Sequence, residues 1–324
     1  MSGAARAFWV TGPGRGEVRE ERLRPPADGE VSVRALFSGV SRGTEALVFA
    51  GRVPPSQFAT MRAPFQAGDF PAPVKYGYAS VGVVEAGGTP GQTVFCLHPH
   101  QDRYTVPADA AHPLPDGVPP ARAVLAANME AALNGLWDAA PGPGAPIAII
   151  GAGTVGCLVA YLAARHHDGP VELIDTDPEK AAAAKALGVR FAAPEAASGD
   201  CPIVIHTSGN PAGLVTALDL AAFEGTIVEM SWYGDVLVPL PLGEAFHSQR
   251  LTIKSSQVGS VAPERREEWS HSRRLAEALS LLRDDVLDVL MTGECDFESL
   301  PETMAYLAGT PAGVLCQRVR YNQP

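Results

Sequence analysis

The residues most able to do chemistry begin at Gly151. Gly151-Ala152-Gly153-Thr154-Val155-Gly156 follows the apolar run Pro146-Ile147-Ala148-Ile149-Ile150 and precedes Cys157-Leu158-Val159-Ala160-Tyr161-Leu162-Ala163-Ala164. Strand, glycine turn and helix in that order make a phosphate cradle. Gly151 permits the tight turn, Gly153 lets the backbone approach a pyrophosphate, and Gly156 lets the helix pack on the strand. The helix amino end then offers unpaired N–H groups, among them those of Thr154 and Val155, to the anion. The next apolar run, Val171-Glu172-Leu173-Ile174, ends in Asp175, 19 residues after Gly156. A carboxylate there accepts from both hydroxyls of an adenosine ribose and repels a 2′-phosphate, which favours NAD over NADP. Lys180 is placed to add a donor to the same ribose.

Two later runs extend the pattern. Ile203-Val204-Ile205-His206 enters Thr207-Ser208-Gly209, and Gly225-Thr226-Ile227-Val228-Glu229-Met230 enters Ser231-Trp232-Tyr233-Gly234. Ligands of open α/β sheets sit outside the carboxyl ends of the strands, so Thr207, Ser208, Ser231 and Trp232 are candidates to line the nicotinamide half. Elsewhere, His98 and His100 alternate after a strand-like run. On a continuing strand they would share a face, as a metal site, a polar loop or a proton relay would use them. Ser41, Glu45, Tyr78 and Glu130 complete the groups able to hold or move a proton, although a helix-surface carboxylate is the plainer reading of Glu130. Arg250, Arg265, Arg266, Arg273 and Arg274, with His247 and His271 nearby, form a basic stretch that reads as a solvated face or as a contact for an acidic substrate.

The elements that must position these groups fall into two textures. The first hundred residues are strand- and turn-rich. Val31–Leu36, Ser80–Glu85 and Gln92–Leu97 read as strands, and Gly87–Gly91 as a turn. Pro54–Pro73 reads as a long loop whose Phe58, Met61 and Phe65 would border a pocket for a bulky or apolar substrate. Ala121–Ala140 has helical spacing and ends at Pro141-Gly142-Pro143-Gly144. Strand-like and helix-like pieces then alternate, the pattern of a parallel sheet with crossover helices. After about Gly259 the alternation stops; Arg273–Leu290 reads as one amphipathic helix and Gly313–Tyr321 as a final strand.

At full length the chain resembles the medium-chain dehydrogenase/reductase superfamily. Ser38-Gly39-Val40-Ser41-Arg42-Gly43-Thr44-Glu45, Tyr76-Gly77-Tyr78-Ala79-Ser80-Val81-Gly82, the glycine turn with Asp175 and Lys180, and Gly225-Thr226-Ile227-Val228 carry the likeness. It implies an α/β chain in which a Rossmann doubly wound parallel sheet (125–258) is joined to a GroES-like β-barrel catalytic domain (1–124 and 259–324). It also implies a homodimer. Zinc-dependent relatives place a cysteine ligand where Ser41 stands and histidine and glutamate where Tyr78 and Ala79 stand. The four-cysteine zinc lobe is missing. Hydroxyls are poor zinc ligands near neutral pH, so no metal is expected. Ser41 and Tyr78, together with His98 and His100, become the catalytic candidates. Arg42 falls where relatives put a cofactor-pyrophosphate arginine. The Ser-x-Gly-Thr-Glu wording is similar to a zinc-lacking subgroup that includes the bacteriochlorophyllide hydroxyethyl dehydrogenase.

The expected activity is zinc-independent hydride transfer between NAD(H) and an alcohol or carbonyl substrate, a small molecule the sequence does not name. An NADPH-dependent enone or quinone reductase and a non-catalytic NAD-binding protein are the alternatives. Composition narrows the field further. With 25 Lys and Arg against 36 Asp and Glu, the net charge of −11 argues against nucleic acid and anionic lipid as partners. No run of 18 apolar residues suggests a membrane span. The start of the chain lacks a signal-peptide core, and five dispersed cysteines fit reduced thiols, so the expected location is the cytoplasm.

Overall fold

The computed structural model describes residues 3–322, which divide into two compact units. The first comprises residues 1–127, 279–285 and 291–324, and the second 128–278 and 286–290.

The second unit is the parallel sheet. Its strands are β1 (Ile147–Ile150), β2 (Val171–Ile174), β3 (Arg190–Ala192), β4 (Cys201–His206), β5 (Ala221–Glu229) and β6 (Thr252–Ser255). They lie in the order β3-β2-β1-β4-β5-β6, every neighbouring pair parallel. That is the doubly wound order, and the chain reverses direction between β1 and β4. Helices α1 (Thr154–His166), α2 (Ala181–Ala186) and α3 (Pro211–Leu220) make the crossovers. All four residues of β1 are buried, as a strand covered on both faces requires. Ala148, Ile150, Ile174, Val204, Leu214, Leu218 and Ile227 belong to one apolar cluster beside the sheet. The carboxyl end of α1 carries Arg165 and His166, which suit its partial negative charge.

Residues 259–278, expected with the β domain, group instead with the parallel-sheet unit. The reason is a buried arginine. Arg274 is 1% exposed and bonds Glu130 Oε1 at 3.0 Å, Asn134 Oδ1 at 2.5 Å, and the carbonyls of Ser260 and Val258. Burial of so strong a donor set is tolerated because all three guanidinium nitrogens find acceptors. Glu130 is therefore no surface carboxylate; burial raises its carboxyl above the usual range, against the pull of Arg274. Other members of the basic stretch lie on the surface. Arg273 covers Trp269, Arg265 faces Trp137, and Arg250 pairs with Glu224. His247 is exposed, and His271 bonds the Gly259 carbonyl.

The first unit is a GroES-like domain of two sheets. Its larger sheet runs Met291–Asp296, Cys316–Arg320, Glu30–Val40, Ser80–Ala86, Thr93–Cys96, His112–Pro113, with Arg103–Pro107 also on Glu30–Val40. The smaller is led by the hairpin of Gly3–Gly12 and Arg15–Leu23. Pro54–Pro73 is mainly loop, as expected, with one short 3-10 turn at Pro55–Gln57 and a two-residue strand at Ala67–Gly68. The helix expected over Arg273–Leu290 stops at Leu281 and resumes as a 3-10 turn from Asp285. Arg122 explains the stop: its guanidinium donates to the carbonyls of Leu282 at 3.2 Å and Arg283 at 3.0 Å, which a continuing helix would need. No described helix is long and apolar enough to cross a membrane.

Candidate functional site

The parallel-sheet unit holds its polar site at the point where strand order reverses. Gly151 has φ +104°, and a Cβ there would stand 2.6 Å from the Ser208 amide nitrogen. Gly156 is tighter still: its Cβ would lie 1.8 Å from the Gly151 carbonyl oxygen. Gly153 is different. A Cβ on it meets nothing within 4 Å, and its φ of −75° suits any residue. The fold itself thus needs glycine at the first and third positions, and the second leaves open space against the α1 amino end. The first intrahelical bond runs from Cys157 N to Gly153 O, so the amides of Thr154, Val155 and Gly156 precede the ladder. A backbone cradle with room above it fits a pyrophosphate.

Beside the turn is an open cavity of about 100 Å³, lined in part by Gly151, Ile174, Asp175, Pro194, Ser208 and Thr216. Asp175 is fixed as an acceptor. Its Oδ2 takes the Ala152 amide at 2.6 Å and Lys180 Nζ at 3.2 Å, and its Oδ1 takes the Asp177 amide at 2.9 Å. Lys180 is buried against it. The cavity has an apolar wall for a flat base and a carboxylate for a diol, which fits the adenosine half of a dinucleotide. Thr207 has another duty: its hydroxyl donates to the carbonyls of Ile150 at 3.1 Å and Gly151 at 2.8 Å, tying β4 to the turn. Ser231 Oγ accepts from the Gly209 amide at 3.0 Å, and Trp232 after it is half-exposed.

Sequence reasoning missed one group here. His206 is fully buried at the end of β4, with Nδ1 at 2.8 and 3.0 Å from the two Glu229 oxygens and Nε2 at 2.6 Å from Ser208 Oγ. His206 and Glu229 pair in the β4–β5 register, each just before its loop. The available signal was a titratable residue closing two successive apolar strands.

The first unit gathers the other candidates. Helix Arg42–Phe49 starts after Ser41, whose amide donates to Glu45 Oε1 at 2.8 Å. Glu45 is buried, and its other oxygen lies 2.8 Å from His100 Nε2. His100 Nδ1 meets Ser38 Oγ at 2.7 Å, and Ser38 Oγ meets the Tyr321 hydroxyl at 3.0 Å. Gly77 makes room for this ring: its φ is +128°, and a Cβ would come within 3.0 Å of His100 Cδ2. The half-buried Tyr78 follows, hydrogen-bonded to Ser41 and Thr44. Burial pushes its phenol up to about 12, Glu45 adds to the rise, and the two hydroxyls oppose it.

His98 and His100 do not share a strand face. The strand ends at Cys96, where His98 N turns back to the Cys96 carbonyl and Pro99 removes a donor. His98 is buried and stacked on Tyr104 at 3.8 Å and Phe65 at 5.6 Å. Burial lowers it to about 3, so it stays neutral. Among the described residues no three His, Cys, Asp or Glu side chains converge to hold a metal. Arg42 donates to the Pro311 carbonyl at 3.3 Å. In the Pro54–Pro73 loop, Phe58 packs on Phe70 at 5.8 Å and Phe65 is 39% exposed.

The chain thus combines a Rossmann-like parallel sheet with a GroES-like unit. No family model matches the sequence. Among solved structures, L-idonate 5-dehydrogenase from Escherichia coli K-12 superposes with a TM-score of 0.79 at 15% identity, over 99% of both chains. A zinc-binding dehydrogenase from Sinorhizobium meliloti bound to NADP gives 0.78 at 18%, over 98% of this chain and 99% of that one. A short chain alcohol dehydrogenase from Escherichia coli CFT073 complexed with NADH gives 0.76 at 15%, with the same coverage.

Proposed function

We propose that this chain is a zinc-independent medium-chain dehydrogenase/reductase that moves hydride between NAD(H) and an alcohol or carbonyl substrate. One observation carries the reading: Gly151, the first glycine of the turn, and the Asp175 carboxylate line the same cavity at the reversal point of the sheet, and Asp175 is hydrogen-bonded to the turn through the Ala152 amide. Asp175 supports NAD over NADP. Similar folds are described with either cofactor, so the choice rests on that carboxylate.

The bound nicotinamide would supply or accept the hydride. The protein must hold the cofactor and manage one proton. The α1 amides, with the open space at Gly153, would hold the phosphates, and Asp175 would hold the ribose. Tyr78 handles the proton: its neutral hydroxyl, braced by Ser41 and Thr44, donates to the oxygen of a carbonyl as that oxygen gains charge. His100, buried between Glu45 and Ser38, is a positioning residue that acts through Glu45, the carboxylate that raises the Tyr78 phenol. Ser41 and Tyr78 stand where a metal-dependent relative needs thiolate and imidazole, and neither hydroxyl is a good zinc donor.

Calorimetric titration tests the cofactor. NADH is expected to bind at least about tenfold more tightly than NADPH, the cost of setting a 2′-phosphate against Asp175. Preference for NADPH would overturn the assignment. Elemental analysis of the same desalted sample is expected to find well under one zinc per chain; stoichiometric zinc would overturn the hydroxyl mechanism.

A further inference from the structure

The imidazole of His98 has one polar edge that the protein does not use. The residue is 5% exposed, and its Nδ1 lies 3.0 Å from the Pro99 carbonyl oxygen. Burial holds the ring down at about 3, so it is neutral through the neutral range. A carbonyl only accepts, so Nδ1 carries the one ring hydrogen and Nε2 is a bare acceptor. Nε2 makes no hydrogen bond among the described residues. It is not sealed in either: among those residues, Glu172 Oε1 alone is both shut off from solvent and without a hydrogen bond. A side chain so buried, with its last polar atom open and unmatched, is arranged for a partner the chain does not supply.

The ring is held in place by stacking. Tyr104 lies on it at 3.8 Å and 10° from parallel, and Phe65 at 5.6 Å and 27°. Phe65 is kept there against its backbone. The Gln66 amide donates to the Ala63 carbonyl at 3.2 Å, so Pro64 and Phe65 are the central residues of a turn, with φ +56° at Phe65. Proline second and a positive φ third mark a type II turn, whose third residue is ordinarily glycine or asparagine. A bulky side chain there is strained, and strain of this kind collects at ligand sites. The same region borders the proton group. His100, two residues after His98, bonds Glu45, the carboxylate that raises the Tyr78 phenol. The Phe65 turn runs into Ala67–Gly68, which pairs with Val74–Lys75, the residues leading to Tyr76-Gly77-Tyr78.

We infer that His98 is a specificity-determining residue of the substrate site: its Nε2 accepts from a hydroxyl or N–H group that the substrate carries in addition to the alcohol or carbonyl that reacts. The role is recognition, not proton transfer, because an imidazole with so little affinity for a proton is a poor base near neutrality. A plain apolar ketone in the site would leave Nε2 stripped of water and unpaired, whereas a hydroxyketone satisfies it. The loop around Phe65 supplies the apolar contact, and His98 sets a polar requirement beside it. The substrate class is then a hydroxylated or amide-bearing alcohol or carbonyl compound.

This assignment rests on the hydride-transfer reading above, and the test separates the two. Hydroxyacetone and 4-hydroxy-2-butanone are compared with 2-butanone and 2-pentanone, in which a methyl group replaces the hydroxyl. His98→Phe keeps a flat ring for Tyr104 and Phe65 to stack on and removes the acceptor. Intrinsic reactivity cancels when the kcat/KM ratio within each pair is compared between wild type and variant. That ratio is expected to fall by about three- to tenfold in at least one pair, the worth of one neutral hydrogen bond. An unchanged ratio in both pairs, in folded His98→Phe, overturns the assignment. A second readout needs no turnover. In 15N NMR of histidine-labelled wild type, the His98 signals are identified by their loss in His98→Phe or, if that variant does not fold, in His98→Gln. Nε2 is expected to be unprotonated at pH 7 and to shift when a hydroxyketone is added with NAD+, but not with its deoxy partner. A protonated Nε2, or one unmoved by both hydroxyketones in a protein that reduces ketones, defeats the His98 assignment alone. A shift with the hydroxyketones in a protein that reduces none of the four with NADH sustains the acceptor and defeats the dehydrogenase reading. Neither shift nor turnover defeats both.

Discussion

Gly153→Ala is expected to leave the melting temperature within about a degree of wild type and to weaken NADH binding by about a hundredfold or more, whereas Gly156→Ala lowers both. The two glycines sit three residues apart in one turn, and a single methyl group separates their roles. At 153 the added carbon meets nothing within 4 Å and the backbone is in an ordinary region, so folding has nothing to resist. That open space is where a pyrophosphate must approach the α1 amides, and the methyl stands in its way. At 156 the added carbon would lie 1.8 Å from a backbone carbonyl and 2.6 Å from Thr207 Oγ1. Neither atom can yield cheaply, because Thr207 is itself tied to the carbonyls of Ile150 and Gly151. Helix and strand must part, at a cost of about 1–3 kcal/mol or more for overpacking. Thermal denaturation followed by calorimetric titration of NADH reads both quantities. Equal loss of stability in both variants would show that Gly153 is structural; unchanged NADH affinity in Gly153→Ala would remove the cradle from the site.

What the sequence made legible was local. The turn at 151–156 is dictated by backbone dihedral angles and by one close approach, both encoded within six residues, and Asp175 follows at a spacing set by one helix and one strand. The alternation of strand and helix likewise pointed to a parallel sheet with crossover helices, while the order of its strands came only from the structure. What escaped was set by distant partners. Glu130 and Arg274 are 144 residues apart, and each looks solvated until the other is seen. His206 and Glu229 meet only because β4 and β5 pair in one register, not in a register shifted by two. His98 and His100 alternate in sequence as strand residues do, yet the strand has already ended at Cys96, and one ring goes to Tyr104 and the other to Glu45. Periodicity cannot report a strand that stops one residue early.

The same distinction bears on the proton. Tyr78→Phe is expected to lower the turnover of carbonyl reduction by about two to three orders of magnitude, the usual worth of a positioned general acid, with NADH affinity changed by less than about twofold. The phenyl ring fills the same volume, so the loss isolates the hydroxyl. The pH dependence carries a sign. Burial and Glu45 raise the phenol to about 12, so the group is protonated throughout the neutral range. As an acid it is fully present, and reduction through it is expected to be flat from about pH 6 to 9. As a base it is scarce, and alcohol oxidation through its phenolate rises about tenfold per pH unit over the same span. Ser41 hydrogen-bonds the hydroxyl and holds the phenol lower than burial alone would. Ser41→Ala therefore raises it, shifting the oxidation profile to higher pH and leaving reduction flat. A panel of alcohols and carbonyls reads both directions. Tyr78→Phe with wild-type turnover, or an oxidation rate indifferent to pH, would transfer the proton step to another group. Loss of NADH binding in the same variant would instead mark Tyr78 as a structural filler of the space a metal holds in other dehydrogenases.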